Sequence, residues 1–290
     1  MSTAEQETPP EPANSEDARM SFVEHLSELR LRLRNAAVIF LVVMMVSFVF
    51  VKKYFSVLTL PAVHAWTVAL HGTTPTFHFA SPTEPFWVYT KLAMYCALLV
   101  SSPLIFWELW KFIAPGLYRK EKRMALTITV ATAVCFIGGA LFGYFVISTP
   151  ALTYMLSFAE QMDGYTIQPT IMMDEVVGFM SAMLLGTGIA FELPVLLGVL
   201  GWLGIIKSRQ LWKFNRYALI LSTVVGGVLT PGPDVLSQVL MAGPLFGLYN
   251  VSILIVFLIE RGNRERLEKL AKETGADLVP VDETEDDKKK

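Results

Sequence analysis

Six long apolar stretches divide this sequence of 290 residues, and most of them approach the roughly 20 residues that a helix needs to cross a bilayer. They cover about residues 36–51, 86–107, 124–147, 176–203, 217–229 and 236–259. The fifth is short, so either flanking polar residues extend it or the bilayer thins around it. Because 53% of the residues are hydrophobic and only 17% are charged, lipid is the expected solvent. The sequence therefore predicts an all-α polytopic membrane protein with six transmembrane helices.

Basic residues are segregated along the chain, although the net charge is only −2. Four Lys or Arg residues precede the first stretch, five lie between the second and third, four between the fourth and fifth, and eight follow the sixth. The remaining segments hold only Lys52, Lys53 and Lys91. By the positive-inside rule, this pattern predicts that both termini are cytoplasmic.

Composition also divides the chain into three regions. Residues 1–20 are expected to be a disordered acidic tail without the features of a secretory signal. Residues 21–260 are expected to form the six-span core, and residues 261–290 a cytoplasmic C-terminal tail. Within the core, "TPGPDV" at 230–235 is rich in Pro and Gly, so the last two spans are predicted to form a close antiparallel hairpin.

The segment before the first span has the pattern of an amphipathic helix. Ser21 and Glu24 have the spacing of a capping box, which predicts a helix start. Glu24, Glu28 and Arg32 follow at intervals of four and predict one charged face on a helix that lies on the membrane surface. These charges either only stay hydrated or form a carboxylate platform for a cationic partner. The opposite, apolar face is predicted to consist of Phe22, Leu26, Leu29 and Leu33.

Two acidic residues stand out against their surroundings. Glu192 lies inside the fourth apolar stretch, directly before a Leu-Pro pair. A carboxylate at that depth costs about 2.5–3.5 kcal/mol on insertion scales, so it is expected to face a cavity or a partner. Glu121 is the single acid in "KFIAPGLYRKEKR", among five bases that hold this loop in the cytoplasm.

Other polar residues support no enzymatic, cofactor or metal site. Gln238 and Asn250 in the sixth stretch are expected to bond across helices or to dock another helix. His64, His71 and His78 recur every seven residues without an accompanying Cys, in a segment without a strong helical pattern, which favours scattered surface histidines over a metal site. The sequence has no HExxH, GxSxG or phosphate-loop pattern, so no enzyme and no cofactor is predicted.

Four motifs resemble the TatC family of twin-arginine (Sec-independent) protein translocase subunits: "HLSELRLRL", "SPLIFWELWKFIAPGLYRKEKR", "FELPV" and "LTPGPDVLSQ". They occur in the family's order between about residues 22 and 260. The resemblance implies a cupped arrangement of six spans and a receptor, in a bacterial inner membrane, that binds the signal peptides of folded proteins at its cytoplasmic face. It also implies transport driven by the proton-motive force, membrane lipid as surroundings, and hetero- and homo-oligomers with TatA- and TatB-type single-span subunits, without nucleic acid.

The resemblance also implies roles for nine residues. Glu28 and Arg30 match the family's N-terminal motif, and the first cytoplasmic loop contributes Phe112, Pro115 and Glu121, all expected to bind the signal peptide. Glu192 matches an intramembrane acid that faces the hollow of the cup. The positions linked to structure or partner contact are Pro61, Asp234 and Gln238.

We hypothesise that the helix before the first span lies against the first loop and brings Glu28 and Glu121 together. Adjacent arginines need acceptors for two planar guanidinium groups, and carboxylates bind these better than neutral groups do. Two positions depart from the family pattern. Glu108 stands where the family often has an amide, and either attracts a basic peptide or pairs with Lys111; Gly232 is an extra residue in the last outer turn.

Two other readings remain open at this stage. A proton-coupled transporter of a small solute would use Glu192 as its proton site, and the repeated "LWKF" at 109–112 and 211–214 gives it weak support. A purely structural membrane scaffold would leave the buried acid without a role.

Overall fold

The computed structural model describes residues 22–70, 74–113, 122–159, 161–162, 165–166, 169–229 and 235–274. Nearly all of them are helical. The long helices, or helix pairs in series, are α1 (Phe22–Val49), α4 (Glu84–Ile113), α5 (Lys122–Phe142), α7 (Met173–Ala190) with α8 (Glu192–Trp202), α9 (Ser208–Leu229) and α10 (Val235–Thr274). A π-helical turn, Gly143–Ile147, joins α5 to α6 (Ser148–Leu156).

Short elements fill the connections between the long helices. Two short helices follow α1, namely α2 (Val51–Leu58) and α3 (Leu60–Ala69). Strand β1 (Phe77–His78) pairs in parallel with β4 (Ile171–Met172), with Phe77 opposite Ile171. Strands β2 (Gln161–Met162) and β3 (Tyr165–Thr166) form an antiparallel pair. The segment that holds the three histidines thus contains more helix than its sequence pattern predicts.

Five helical stretches in the described part of the chain are long and apolar enough to cross a membrane. They are Glu24–Val49, Glu84–Phe112, Leu126–Leu156, Met173–Trp202 and Gln238–Arg266, and they match the first, second, third, fourth and sixth predicted spans. The predicted fifth span is the second half of α9, whose first half carries Arg209, Lys213 and Arg216. Those bases lower the mean hydropathy of α9, so six spans remain a prediction.

The predicted surface helix before the first span is not a separate element. Helix α1 runs without interruption from Phe22 to Val49, so the segment with Glu24, Glu28 and Arg32 continues the axis of the first span. No Gly or Pro separates the two parts, and nothing in the sequence breaks the helical hydrogen bonding between them. The prediction of an interfacial N-terminal helix is therefore wrong in this structure.

The main core surrounds α7. Its completely buried side chains include Val177, Met180 and Met183 of α7, Leu92 of α4 and Met241 of α10. Helices α5 and α7 approach very closely, because a Cβ added to Gly139 would lie 2.6 Å from the Thr187 carbonyl oxygen. Many outward side chains are apolar and exposed, which is typical of a chain surrounded by lipid rather than water.

Helices α9 and α10 pack as the predicted antiparallel hairpin. Near its turn, a Cβ on Gly226 would lie 3.0 Å from the Gln238 carbonyl oxygen. At the other end, the Tyr249 hydroxyl of α10 donates a hydrogen bond of 2.8 Å to the Leu211 carbonyl of α9. The prediction of a close hairpin is confirmed, while the turn itself, with Gly232, lies outside the described residues.

Candidate functional site

The first half of α1 and the end of α4 are joined by four charged side chains, Glu28, Arg32, Glu108 and Lys111, which we call the α1–α4 cluster. The Arg32 guanidinium donates to Glu28 Oε1 at 3.1 Å and to Glu108 Oε2 at 3.2 Å. Lys111 Nζ donates to Glu108 Oε1 at 3.2 Å. The side chains of Glu28 and Glu108 are only 15% and 10% exposed, so both carboxylates are held largely out of water.

An aromatic contact lies beside the α1–α4 cluster. The imidazole ring of His25 stacks on the Phe112 ring with centroids 4.4 Å apart and an interplanar angle of 18°. His25 precedes Glu28 by three positions and Phe112 follows Glu108 by four, so each ring lies on the same helical face as a carboxylate. Two motifs that are far apart in sequence, one on each helix, therefore meet at one place.

Of the other three residues that are predicted to bind the peptide, the structure describes only Arg30. Arg30 is exposed and is not part of the α1–α4 cluster. Pro115 and Glu121 lie outside the described residues, so the pairing of Glu28 with Glu121 stays a hypothesis. The start of α1 packs on the end of α4, directly before the loop that holds Glu121 in the sequence.

Glu192 lies at a helix break within the fourth apolar stretch. Helix α7 ends at Ala190, Phe191 forms a turn, and Glu192 begins α8. Pro194 has no backbone N–H to donate, which accounts for a break at this place. The Glu192 carboxylate is half-buried, and its Oε1 atom is buried without a hydrogen-bond partner among the described residues. An uncompensated carboxylate oxygen of this kind is available to a partner, as the sequence predicts.

The three residues linked to structure or partner contact differ in setting. Pro61 is buried in the first turn of α3, a position that proline favours because no helical N–H is lost there. Gln238 of α10 donates from Nε2 to the Thr223 carbonyl of α9 at 3.0 Å, which supports the expectation that it bonds across helices. Asp234 lies outside the described residues.

Sequence reasoning missed a second contact of Glu108. The predicted pairing with Lys111 is present, but Glu108 also binds Arg32, which lies 76 positions earlier. The spacing of Glu28 and Arg32 puts both on one face of α1, but it does not predict which residue of α4 meets that face. His25 was also missed, since a lone histidine on a helix carries no information about its ring partner.

Two predicted patterns do not gather into sites. His64 and His78 are exposed and His71 lies outside the described residues; in the part of the chain that is described, no group of three His, Cys, Asp or Glu side chains could hold a metal ion. The two "LWKF" copies occupy opposite ends of their helices, the last turn of α4 and the first turns of α9. They therefore do not mark equivalent positions of a structural repeat.

Comparisons with known proteins agree on one family. Residues 24–244 match the family model described as Sec-independent protein translocase protein (TatC). Among the similar proteins, the Sec-independent protein translocase protein TatC of Koribacter versatilis (strain Ellin345) is 32% identical over 247 residues, covering 85% of this chain and 89% of the relative. The protein of that name from Aquifex aeolicus (strain VF5) is 34% identical over 249 residues, which are 85% of this chain and 98% of the relative.

A solved structure is also similar to this fold. A crystal structure described as the twin-arginine translocase receptor TatC superposes with a TM-score of 0.70 at 33% sequence identity. The superposition covers 82% of this chain and 100% of the solved one.

Proposed function

This chain belongs to the TatC family of Sec-independent protein translocase proteins, and we propose that it is the receptor and core subunit of a twin-arginine translocation system. It binds the signal peptides of folded proteins at the cytoplasmic face of a bacterial inner membrane. With TatA- and TatB-type single-span subunits, it forms the export site that the proton-motive force drives.

The observation that carries this proposal is the packing of the start of α1, which holds Glu28, on the end of α4, which holds Phe112; His25, three positions before Glu28, stacks on the Phe112 ring. Glu28 and Phe112 both match peptide-binding motifs of the family, although they lie on different helices. The Glu28 carboxylate is 15% exposed and shares a helical face with His25, the ring stacked on Phe112. This arrangement suits a peptide with arginines followed by apolar residues, because the guanidinium pairs with a carboxylate and the apolar part packs on an aromatic ring. Glu121 in the following loop supplies the second acceptor, and Arg30 and Pro115 complete the site.

We propose that α9 is the remaining span. Its 22 residues give a length of about 33 Å at 1.5 Å per residue, which is enough for a hydrocarbon core of about 30 Å. An odd number of spans would put one terminus, with its basic residues, on the outer side, against the positive-inside rule. Six spans keep both basic ends in the cytoplasm, and the first half of α9 then lies at the cytoplasmic interface.

Glu192 acts in the membrane rather than at the surface. It lies at the break between α7 and α8, with one carboxylate oxygen that has no hydrogen-bond partner in the described part of the chain. We expect it to face the hollow of the cup and to bind the inserted part of the complex. We expect Gln238, on the α9–α10 hairpin, and Asp234 to contact single-span partner helices. Pro61 keeps the outer helix α3 in place.

The test is binding of a twin-arginine signal peptide to the purified protein, with the twin-lysine peptide as reference. Glu28→Gln and Glu121→Gln should each weaken binding of the arginine peptide and reduce its preference over the lysine peptide. The matched control is Glu175→Gln, which changes an exposed glutamate in the first turn of α7, at the outer end in the proposed orientation. Unchanged affinity in both site variants would refute the proposed binding site.

Transport separates the role of Glu192 from that of the surface site. Glu192→Ala should leave peptide binding at the surface largely intact and should reduce transport in membrane vesicles. Full transport by this variant would refute a functional role for the buried carboxylate. Uptake of a small solute by vesicles containing this chain alone would instead favour the transporter reading.

A further inference from the structure

Arg32 fills the centre of the α1–α4 cluster with the same chemical group that the proposed site binds. Its guanidinium lies between carboxylates of two helices, 3.1 Å from Glu28 and 3.2 Å from Glu108. A twin-arginine peptide presents the same planar group, which carboxylates bind through paired hydrogen bonds. The chain thus occupies a guanidinium-binding position with its own side chain.

The bonds that Arg32 makes leave hydrogen-bonding capacity unused. Each carboxylate accepts one N–H from Arg32, whereas a fork-to-fork pair has two parallel bonds. Both contacts are also longer than the roughly 2.7–2.9 Å that is common for such bonds. Glu28 Oε2 and Arg32 Nε are buried and have no hydrogen-bond partner among the described residues. An incoming guanidinium that meets both oxygens of Glu28 would make two bonds where Arg32 makes one.

The charges of the α1–α4 cluster favour replacement of Arg32 by a peptide arginine over binding of a further arginine beside it. Two carboxylates, on Glu28 and Glu108, face two cations, Arg32 and Lys111, so the formal charge is zero. A further guanidinium would add an unpaired positive charge where both carboxylates are largely buried, and such a charge is costly. If Arg32 leaves as the peptide arginine enters, the charge is unchanged. The Arg32 side chain is already 25% exposed, so its head group reaches water by rotation of its stem.

The contacts around the cluster connect this exchange to the proposed peptide site. Glu28 is one of the predicted acceptors, and Phe112 lies one turn after Glu108 on α4. On α1, His25 lies three positions before Glu28, and its ring stacks on the Phe112 ring. A peptide arginine that reaches Glu28 therefore meets the guanidinium of Arg32 at the same carboxylate.

We propose that Arg32 is an internal competitor of the signal peptide: it holds Glu28 and Glu108 together in the empty receptor and is displaced when a peptide arginine binds. This inference rests on the proposed function. It makes Glu108 a further acceptor for the peptide, and it makes Arg32 a residue that sets selectivity, because only a ligand that pairs better than Arg32 gains the site. A lysine, which lacks the planar fork, gains less from the exchange.

The experiment compares binding of twin-arginine and twin-lysine signal peptides to the full chain and its variants, purified in detergent. Arg32→Gln should tighten binding of the arginine peptide by about threefold to tenfold, since a partly exposed ion pair no longer competes. The gain for the lysine peptide should be smaller, so the ratio of the two affinities should rise. Arg32→Lys keeps the charge and is the milder change for folding. It should also tighten binding of both peptides, but by smaller factors than Arg32→Gln does.

Two controls separate competition from general electrostatics. Arg34→Gln removes the same charge two positions away, from an exposed side chain without an ion pair among the described residues. Arg261→Gln breaks an exposed pair with Glu265 that also spans four positions, with atoms 3.1 Å apart. Both controls should leave the affinity ratio unchanged.

The outcomes distinguish this inference from the proposed function. If the wild-type chain does not prefer the arginine peptide, the proposed function fails and this inference fails with it. If the wild type has the preference but Arg32→Gln and Arg32→Lys bind no more tightly, Arg32 only links the two helices and the competitor role is wrong. An equal gain in Arg34→Gln would also overturn it, because the effect would then be charge alone.

Discussion

Two adjacent glycines in α5 allow a sharp test of how α5 packs on α7. A Cβ on Gly139 would lie 2.6 Å from the Thr187 carbonyl oxygen and 2.8 Å from the Phe191 Cβ atom, both shorter than real contacts allow. A Cβ on Gly138 would meet nothing within 4 Å. Gly139→Ala and Gly138→Ala are therefore the same chemical change, one against a neighbouring helix and one at the surface.

The expected loss of stability follows from the difference in the free energy of unfolding between the two variants. Replacing Gly by Ala inside a helix stabilises it by about 0.5–1 kcal/mol, and this contribution is common to both. Overpacking costs about 1–3 kcal/mol, and it applies to Gly139→Ala alone. Because the nearest atom is a backbone oxygen, which cannot move without its helix, we expect the upper half of this range. Gly139→Ala should thus unfold more easily than Gly138→Ala by about 2–3 kcal/mol.

The assay is unfolding in mixed micelles by titration with a denaturing detergent, followed by loss of helical circular dichroism and by tryptophan fluorescence. Shortening Phe191 to Ala should recover only a small part of the loss in Gly139→Ala, since it removes the Phe191 Cγ contact at 2.8 Å but keeps the Cβ atom and the Thr187 backbone oxygen. Equal unfolding midpoints for the two glycine variants would refute the close contact of α5 with α7. The contact adjoins Glu192, so Gly139→Ala should also impair transport more than Gly138→Ala does.

The same unfolding assay tests three other contacts. Gln238→Leu should cost about 0.6–2 kcal/mol, because it removes the hydrogen bond to the Thr223 carbonyl that joins α9 and α10; an unchanged midpoint would mean that the bond contributes nothing. Lys91→Gln should cost at most about 1 kcal/mol, since the pair with Asp174 is nearly half exposed, and the difference from wild type should shrink at high salt. Trp110→Phe should cost about 1 kcal/mol for the lost bond from its buried indole N–H to a threonine hydroxyl of α5, 3.1 Å away; a more stable variant would contradict this assignment.

Most of the membrane architecture could be predicted, because hydropathy is a local property that adds up along the chain. Five of the six apolar stretches coincide with helices that are long and apolar enough to span. The fifth, in α9, is harder to identify because Arg209, Lys213 and Arg216 lie within the same helix. Such a helix spans the membrane when the basic side chains at its end reach the interface. The mean hydropathy of a window of residues does not contain that information.

The start of α1 shows a different limit. An apolar stripe with charges on the other face is compatible both with a helix on the membrane surface and with a helix that continues into a span. The absence of Gly or Pro between Leu33 and Ala36 favours continuity, and the uninterrupted helix agrees with it. At Glu192 the sequence does carry such a signal: Pro194 predicts weakened helical hydrogen bonding, and α7 ends at Ala190, four residues before Pro194.

Glu108 shows why a site can be missed when each of its residues has been noticed. Its pairing with Lys111 is visible in sequence, because three positions bring side chains to one face of a helix. Its pairing with Arg32 depends on how α1 packs against α4, which no spacing contains. The contact with Arg32 is nevertheless related to the departure from the family pattern at position 108. With an amide at position 108, as the family often has, Arg32 would be neutralised by Glu28 alone; a carboxylate there adds a second acceptor for the same guanidinium. The departure at Glu108 therefore adds a second ion pair to Arg32, and in the proposed exchange a peptide arginine has to overcome both pairs to reach Glu28.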